Sequence, residues 1–238
     1  MSDFVVFLLP FAGGNSYSYN VFKEFAPKGV SFIPVELPGR GTRIKDPLMS
    51  DLDMLSLDVF RSIRHKISAP YAIYGHSMGT LLGYRVAHLI IKDGLPPPQH
   101  LFFTGRGAPS FPDNDVPRYL MNREEFIAEL RRLGGVPEEV LTTESMMDFF
   151  EPILRSDFKA VETYQYSQLP KLDIPITIGY GTEEDLKEEE INAWQLECAR
   201  PVEFISFPGG HFFIFDRTAE VVSMIVDRIE LQTSKARA

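Results

Sequence analysis

The sequence predicts an α/β domain: a mostly parallel, twisted sheet flanked by helices, with a helical lid inserted into it. Three observations carry this expectation. Short, continuously apolar β-type runs alternate with segments of helical period, the pattern of strands buried on both faces and joined by crossover helices. The stretch Gly75-His76-Ser77-Met78-Gly79 lies where one such run ends and a helix-like segment begins. The alternation then lapses between about Ala108 and Leu169, where helical patterns follow one another with no strand between them.

The strand candidates are Phe4–Leu9, Val30–Val35, Tyr71–Tyr74, His100–Thr104, Ile174–Tyr180 and Val202–Phe207. The helix candidates between them are Tyr17–Phe25, Leu52–Ile67, Met78–Ile91, Glu188–Ala199 and Arg217–Gln232. Asp51 is placed to cap the second of these, and Thr218-Ala219-Glu220 opens the last. Pro109, Pro112 and Pro117 punctuate the start of the irregular stretch. Apolar residues then recur at helical spacing: Phe126, Ile127, Leu130 and Leu133; Met146, Phe149 and Phe150; Ile153, Leu154, Phe158 and Val161. The expected organisation is a core of residues 1–107 and 170–238, with residues 108–169 as the lid. The polar tail Thr233–Ala238 is expected to fray.

Composition narrows the function. A chain of 238 residues, 44% hydrophobic, can bury a core of this kind. A net charge of −9 without a long basic run argues against nucleic acid as a partner. The single cysteine, Cys198, excludes an internal disulfide and a cysteine-based metal site. It also suits a reducing compartment. The apolar run Phe4–Leu9 follows Asp3 rather than a basic region and is too short to span a membrane. The expectation is a soluble, cytoplasmic protein. Nothing in the sequence demands more than a monomer.

The motif Gly75–Gly79 reads G-x-S-x-G in strand–turn–helix context, the requirement of a nucleophile elbow. Ser77 would be held on a tight turn at the positive end of a helix. A serine hydroxyl needs a base, and the base needs an orienting carboxylate. The chain order in hydrolases built on this elbow is serine, acid, histidine. Of the five histidines, only His211 lies far downstream in a loop after a strand, so it is the candidate base. The preceding strand ends in Gly181-Thr182-Glu183-Glu184-Asp185, and its three carboxylates leave the acid open. Two backbone N–H donors should form an oxyanion hole. One belongs to Met78; the other lies in the loop Pro10-Phe11-Ala12-Gly13-Gly14, with Ala12 as the candidate. Phe11, Gly13, His76 and Phe212 flank these groups and are the candidate substrate-binding residues. The chemistry needs neither metal nor cofactor.

Over nearly its whole length the chain resembles the stand-alone type II thioesterases that accompany nonribosomal peptide and polyketide synthases. The resemblance rests on Pro10–Gly14, Leu37-Pro38-Gly39-Arg40-Gly41 and Gly75–Gly79. It extends to Leu133-Gly134-Gly135-Val136-Pro137-Glu138-Glu139-Val140-Leu141, Leu154-Arg155-Ser156-Asp157-Phe158 and Gly209-Gly210-His211-Phe212-Phe213. It implies an α/β-hydrolase fold with a mobile lid. It also implies hydrolysis of acyl thioesters from the phosphopantetheine arms of carrier proteins, in an editing role. The family's acid follows a glycine as G-x-x-D. Counting from Gly181 places Glu184 there, with Asp185 as the alternative, and Trp194 falls where the family tends to carry tryptophan. Carrier domains are commonly acidic, so a local basic patch is expected, with Arg123, Arg131 and Arg132, or Arg155 and Lys159, as candidates. The competing readings are a small-molecule carboxylesterase or lipase, and a non-catalytic synthase-binding protein.

Overall fold

The computed structural model describes residues 4–67, 70–111 and 116–235. Six strands form one sheet: β1 (Phe4–Leu9), β2 (Val30–Pro34), β3 (Tyr71–His76), β4 (His100–Thr104), β5 (Ile176–Gly181) and β6 (Glu203–Phe207). Their order is β2-β1-β3-β4-β5-β6, and every pairing is parallel. The helices are α1 (Asn20–Glu24), α2 (Leu52–Ile63), α3 (Met78–Lys92), α4 (Arg123–Leu133), α5 (Glu138–Thr142), α6 (Glu144–Glu162), α7 (Glu188–Asn192), α8 (Trp194–Glu197), α9 (Phe213–Asp216) and α10 (Thr218–Lys235).

The strands read as unbroken apolar runs because both faces of the sheet are covered. Phe7 and Leu9 of β1 and Ile73 of β3 turn to a core shared with Leu55 and Val59 of α2 and Leu81 and Leu82 of α3. Their neighbours Val6, Leu8, Ala72 and Tyr74 turn the other way, against Phe22 of α1 and Val221 and Ile225 of α10. This is the two-residue strand period written twice. The chain after β1 crosses to one side and the chain after β3 to the other. The C-terminal ends of these neighbouring strands therefore open a crevice, the usual ligand position in such sheets.

Several elements follow local chemistry as expected. Asp51 accepts the Met54 N–H at 2.8 Å and starts α2, a cap worth about 1 kcal/mol. Asn122 and Glu125 form a reciprocal capping box at the start of α4. Other elements differ from expectation for visible reasons. The helix expected over Tyr17–Phe25 is only Asn20–Glu24, because Asn15 captures the chain first. Its side chain accepts the Tyr17 N–H at 2.9 Å and its carbonyl the Ser18 N–H at 3.1 Å, a turn that competes with helix. The helix expected over Glu188–Ala199 breaks at Ala193 into α7 and α8 and then ends, because Cys198 pairs in extended form with Leu172. At the C-terminus α10 continues to Lys235 through residues expected to fray. The tail beyond it, and Pro112 in the proline-rich stretch, lie outside the described residues.

The segment between β4 and β5 carries α4, α5 and α6, which share a small core of their own around Phe126, Leu130, Leu141, Met147 and Leu154. The far end of α6 departs from this core. Ala160 and Val161 join the cluster that covers the sheet. No helix among the described residues is long and apolar enough to cross a membrane.

Burial also shapes the pH response. His100 is enclosed at the start of β4, with Nε2 2.8 Å from Thr177 Oγ1. Desolvation lowers its pKa from 6.5 to about 4, and does the same to His88. The folded protein therefore keeps these rings neutral while the unfolded chain protonates them. Stability present above pH 6.5 is lost as pH falls towards 4, by as much as ~3 kcal/mol for His100. Urea unfolding midpoints should fall over this window in the wild type, and fall less in His100→Gln. An identical pH profile for the two proteins would contradict this assignment.

Candidate active site

Ser77 stands immediately after β3 with φ of +54°, the one positive-φ residue other than glycine among the described residues. Such a conformation costs about 1–3 kcal/mol and must be imposed by its surroundings. Those surroundings are backbone. The Ser77 N–H donates to Thr104 O at 2.9 Å, and the Ser77 carbonyl accepts the Thr80 N–H at 3.0 Å. The Thr80 hydroxyl reaches both Gly75 O and Thr104 O at 3.0 Å. Gly75 and Gly79 make the turn sterically possible. A β-carbon on Gly75 would stand 2.1 Å from Gly79 O, and one on Gly79 would stand 2.4 Å from Leu9 O. The motif's glycines are thus required by contact between backbones.

The elbow leaves the Met78 N–H at the first position of α3, where helical geometry offers it no partner. Across the crevice, the loop after β1 turns back on itself through Gly14 N–H to Phe11 O at 2.9 Å. Ala12 lies within that turn, and Gly13 takes φ of +78°. The Gly13 N–H donates to Asp157 Oδ2 at 2.7 Å. Ser77, Met78, Ala12 and Gly13 all line one cavity of about 710 Å³.

His211 lines the same cavity. Its Nδ1 lies 2.7 Å from Glu184 Oε1. A carboxylate can only accept, so Nδ1 carries the proton and Nε2 is left for a hydroxyl. The second oxygen of Glu184 accepts the Gly181 N–H at 2.7 Å, which aims the carboxylate. Backbone contacts also tie the acid turn to the histidine loop. Thr182 N–H donates to Phe207 O at 2.8 Å and Glu183 N–H to Gly209 O at 2.9 Å. Of the three adjacent carboxylates, Glu184 is the one bonded to His211. Asp185 lines the cavity but makes no bond to His211.

The remaining candidates separate. Phe11 and Phe212 line the cavity, and their rings meet edge to face 5.2 Å apart. Gly135 packs on Phe212 so closely that a β-carbon there would stand 2.3 Å from the ring. His76 departs from expectation: it is fully buried and does not line the cavity. It lies behind His211, with ring centroids 4.9 Å apart, and its Nδ1 is 3.0 Å from Thr104 Oγ1. The reason is strand alternation: the residue before the elbow points away from the crevice that Ser77 faces. Burial first, and the neighbouring His211 second, hold its pKa well below the usual value, so it stays neutral.

Four of the five cations considered for a basic patch are paired with carboxylates. Arg123 pairs with Asp148, Arg131 with Glu138, Arg132 with Glu129 and Arg155 with Glu151. Each of these four arginines is matched by a carboxylate of the same segment between β4 and β5, while Lys159 is exposed. Trp194 is fully buried, and its indole N–H donates to Arg106 O at 3.1 Å beneath the loop after β4. Sequence reasoning assigned no role to Arg40 and Asp157, which meet in a buried ion pair. The available signal was their membership of two motifs, Leu37–Gly41 and Leu154–Phe158, that no catalytic step required.

Comparison with known proteins places these features in context. Residues 4–229 match the family model described as "Thioesterase domain". The chain is 32% identical over 227 residues to the gramicidin S biosynthesis protein GrsT of Aneurinibacillus migulanus, covering 95% of this chain and 89% of that protein. Among solved structures it superposes on ClbQ from the colibactin NRPS/PKS pathway with a TM-score of 0.90 at 29% identity, covering 96% of this chain and 98% of that one. It also superposes on the type II thioesterase BorB of the borrelidin cluster with a TM-score of 0.86 at 31% identity, covering 95% and 92%.

The elbow yields a direct structural prediction. Gly75→Ala should destabilise the protein by about 3 kcal/mol or more, since the clash is with backbone that cannot turn aside. Chemical denaturation checks it. A variant as stable as the wild type would show that the turn can relax, and that its strain is not enforced.

Proposed function

Because the chain belongs to the thioesterase domain family, we propose that it releases acyl groups from phosphopantetheine arms of carrier proteins, in an editing role beside a nonribosomal peptide or polyketide synthase. The observation that carries the mechanism is the 2.7 Å bond between His211 Nδ1 and Glu184, in the same cavity as the strained Ser77 elbow.

The reaction runs in two steps. The thioester carbonyl enters between Ser77 and the N–H groups of Ala12 and Met78. Ser77 Oγ and His211 Nε2 come into hydrogen-bond contact as substrate arrives. His211 takes the hydroxyl proton as oxygen attacks the carbonyl carbon, and the two N–H groups hold the oxyanion. Glu184 stabilises the imidazolium and keeps the proton on Nδ1. The C–S bond breaks, the thiol takes the proton from His211, and an acyl-serine remains. Water then attacks that ester with His211 again as base, releasing a carboxylic acid and restoring Ser77. His76, kept neutral beside His211, adds no positive charge against the imidazolium.

The cavity wall suits an acyl group on a thioester arm. Leu130, Val140, Phe150, Leu154 and Phe158 of the segment between β4 and β5 supply an apolar side. Arg118, Arg132, Asp185 and Lys187 supply a polar side on which amide-bearing chain can rest. Residues 108–169 act in this reading as the lid that screens acyl groups.

The test is acyl release from a panel of acylated carrier proteins, with p-nitrophenyl esters for comparison. The wild type should favour carrier thioesters, and Ser77→Ala should release nothing above background. Glu184→Gln should lose about 10²–10⁴-fold in kcat, and Asp185→Asn far less. Release by a folded Ser77→Ala protein, or the larger loss in Asp185→Asn, would contradict the mechanism. A preference for the simple esters would contradict the substrate.

A further inference from the structure

We infer that Arg40 and Asp157 are a positioning pair that sets the oxyanion loop from the lid segment. The inference rests on the proposed mechanism, in which the Ala12 N–H is a donor, and it extends that mechanism to residues that touch no reacting atom.

Asp157 belongs to α6 and Arg40 to the loop after β2, and both side chains are almost completely buried. Arg40 Nη2 donates to Asp157 Oδ1 at 2.6 Å, and its Nη1 donates to Oδ2. The same Oδ2 accepts the Gly13 N–H at 2.7 Å, while Arg40 Nη1 also reaches Gly14 O at 3.3 Å. The pair thus grips two successive residues of the loop, one by its N–H and the other by its carbonyl. One turn earlier on α6, Leu154 fills the space where a Gly13 β-carbon would stand, at 2.4 Å. Gly13 at φ of +78° is therefore held from the outside by α6.

The consequence reaches Ala12 through peptide geometry. The Ala12 N–H shares a planar trans peptide with the Phe11 carbonyl, so the two point in opposite directions. The Phe11 carbonyl accepts the Gly14 N–H at 2.9 Å. Holding Gly13 and Gly14 holds that bond, and that bond turns the Ala12 N–H away from the turn. Charge matters as well. A lone carboxylate beside the oxyanion loop would oppose the charge formed in the reaction, and the Arg40 guanidinium cancels it. An ion pair in this position need not add to stability; its effect is to preorganise a donor. Further contacts make α6 a fixed base for this grip. Ser156 Oγ donates to Met49 O at 2.9 Å, and Ala160 is packed into the core over the sheet.

The experiment compares the full-length wild type with Asp157→Asn, Arg40→Lys and the paired swap Arg40→Met/Asp157→Leu, which leaves no buried charge alone. Folding is checked by thermal unfolding. Kinetics are read on an acyl N-acetylcysteamine thioester, and affinity on a trifluoromethyl ketone that forms an oxyanion on Ser77. In folded variants kcat should fall about 100-fold, the scale of losing one oxyanion donor. KM should stay within about threefold, and ketone affinity should fall in step with kcat/KM. Arg40→Lys, which keeps the charge but not the fork, should fall between the others and the wild type. Folded variants with near wild-type kcat, or with the loss in KM alone, would overturn the inference. If no variant folds, the wild-type Gly13 amide decides: strong protection from hydrogen exchange supports the clamp, and exchange at the rate of an open loop overturns it. A wild type that hydrolyses no thioester would refute the proposed function instead, and ketone binding and the Gly13 amide would still report on the clamp.

Discussion

The conformation of Ser77 is the constraint on which the rest of the site depends. A side-chain-bearing residue at φ of +54° persists because three strand ends meet around it. The end of β1 presses Leu9 O on Gly79, the end of β3 supplies Gly75, and the end of β4 gives Thr104 O to the Ser77 N–H. The sheet order β2-β1-β3-β4-β5-β6 brings these ends side by side and opens the crevice beside them. With the elbow in place, the Met78 N–H, the loop after β1 and the His211 loop have one common focus. The site is built largely from backbone approaching backbone, which explains its density of glycine. Gly181 follows the same rule, since a β-carbon there would stand 2.5 Å from Gly209 O in the histidine loop.

Electrostatics around the site are balanced at short range. The Glu184 carboxylate is spent on His211 and the Gly181 N–H, and Asp157 on Arg40 and the Gly13 N–H. His76 is fully enclosed and kept neutral beside the His211 ring. Arg123, Arg131, Arg132 and Arg155 of the segment between β4 and β5 are likewise matched by acids within that segment.

Much of this was legible in the sequence because it is governed by period and by local chemistry. The strands announced themselves by apolar runs, α2 by Asp51, and the elbow by its glycines between a strand and a helix. Chain order singled out His211, whose ring the structure sets against Glu184. What stayed hidden depends on contacts between distant residues or on a single side-chain direction. Glu184 and Asp185 are adjacent and chemically alike; the Gly181 N–H and the histidine loop separate them. His76 adjoins Ser77 in the chain, yet strand alternation turns it behind the site. The end of α8 at Glu197 follows from the pairing of Cys198 with Leu172, which no helical period reveals. Arg40 and Asp157 are 117 residues apart, and only the fold shows why their motifs occur together.

The central claim is that Ser77 carries the acyl group between the two halves of the reaction. Rapid-quench mass spectrometry of the protein mixed with excess acyl thioester tests it most directly. The account predicts an acyl adduct confined to the peptide containing Ser77, appearing and decaying at rates that match turnover. An adduct on another residue that is kinetically competent, while Ser77 stays unmodified, would contradict it.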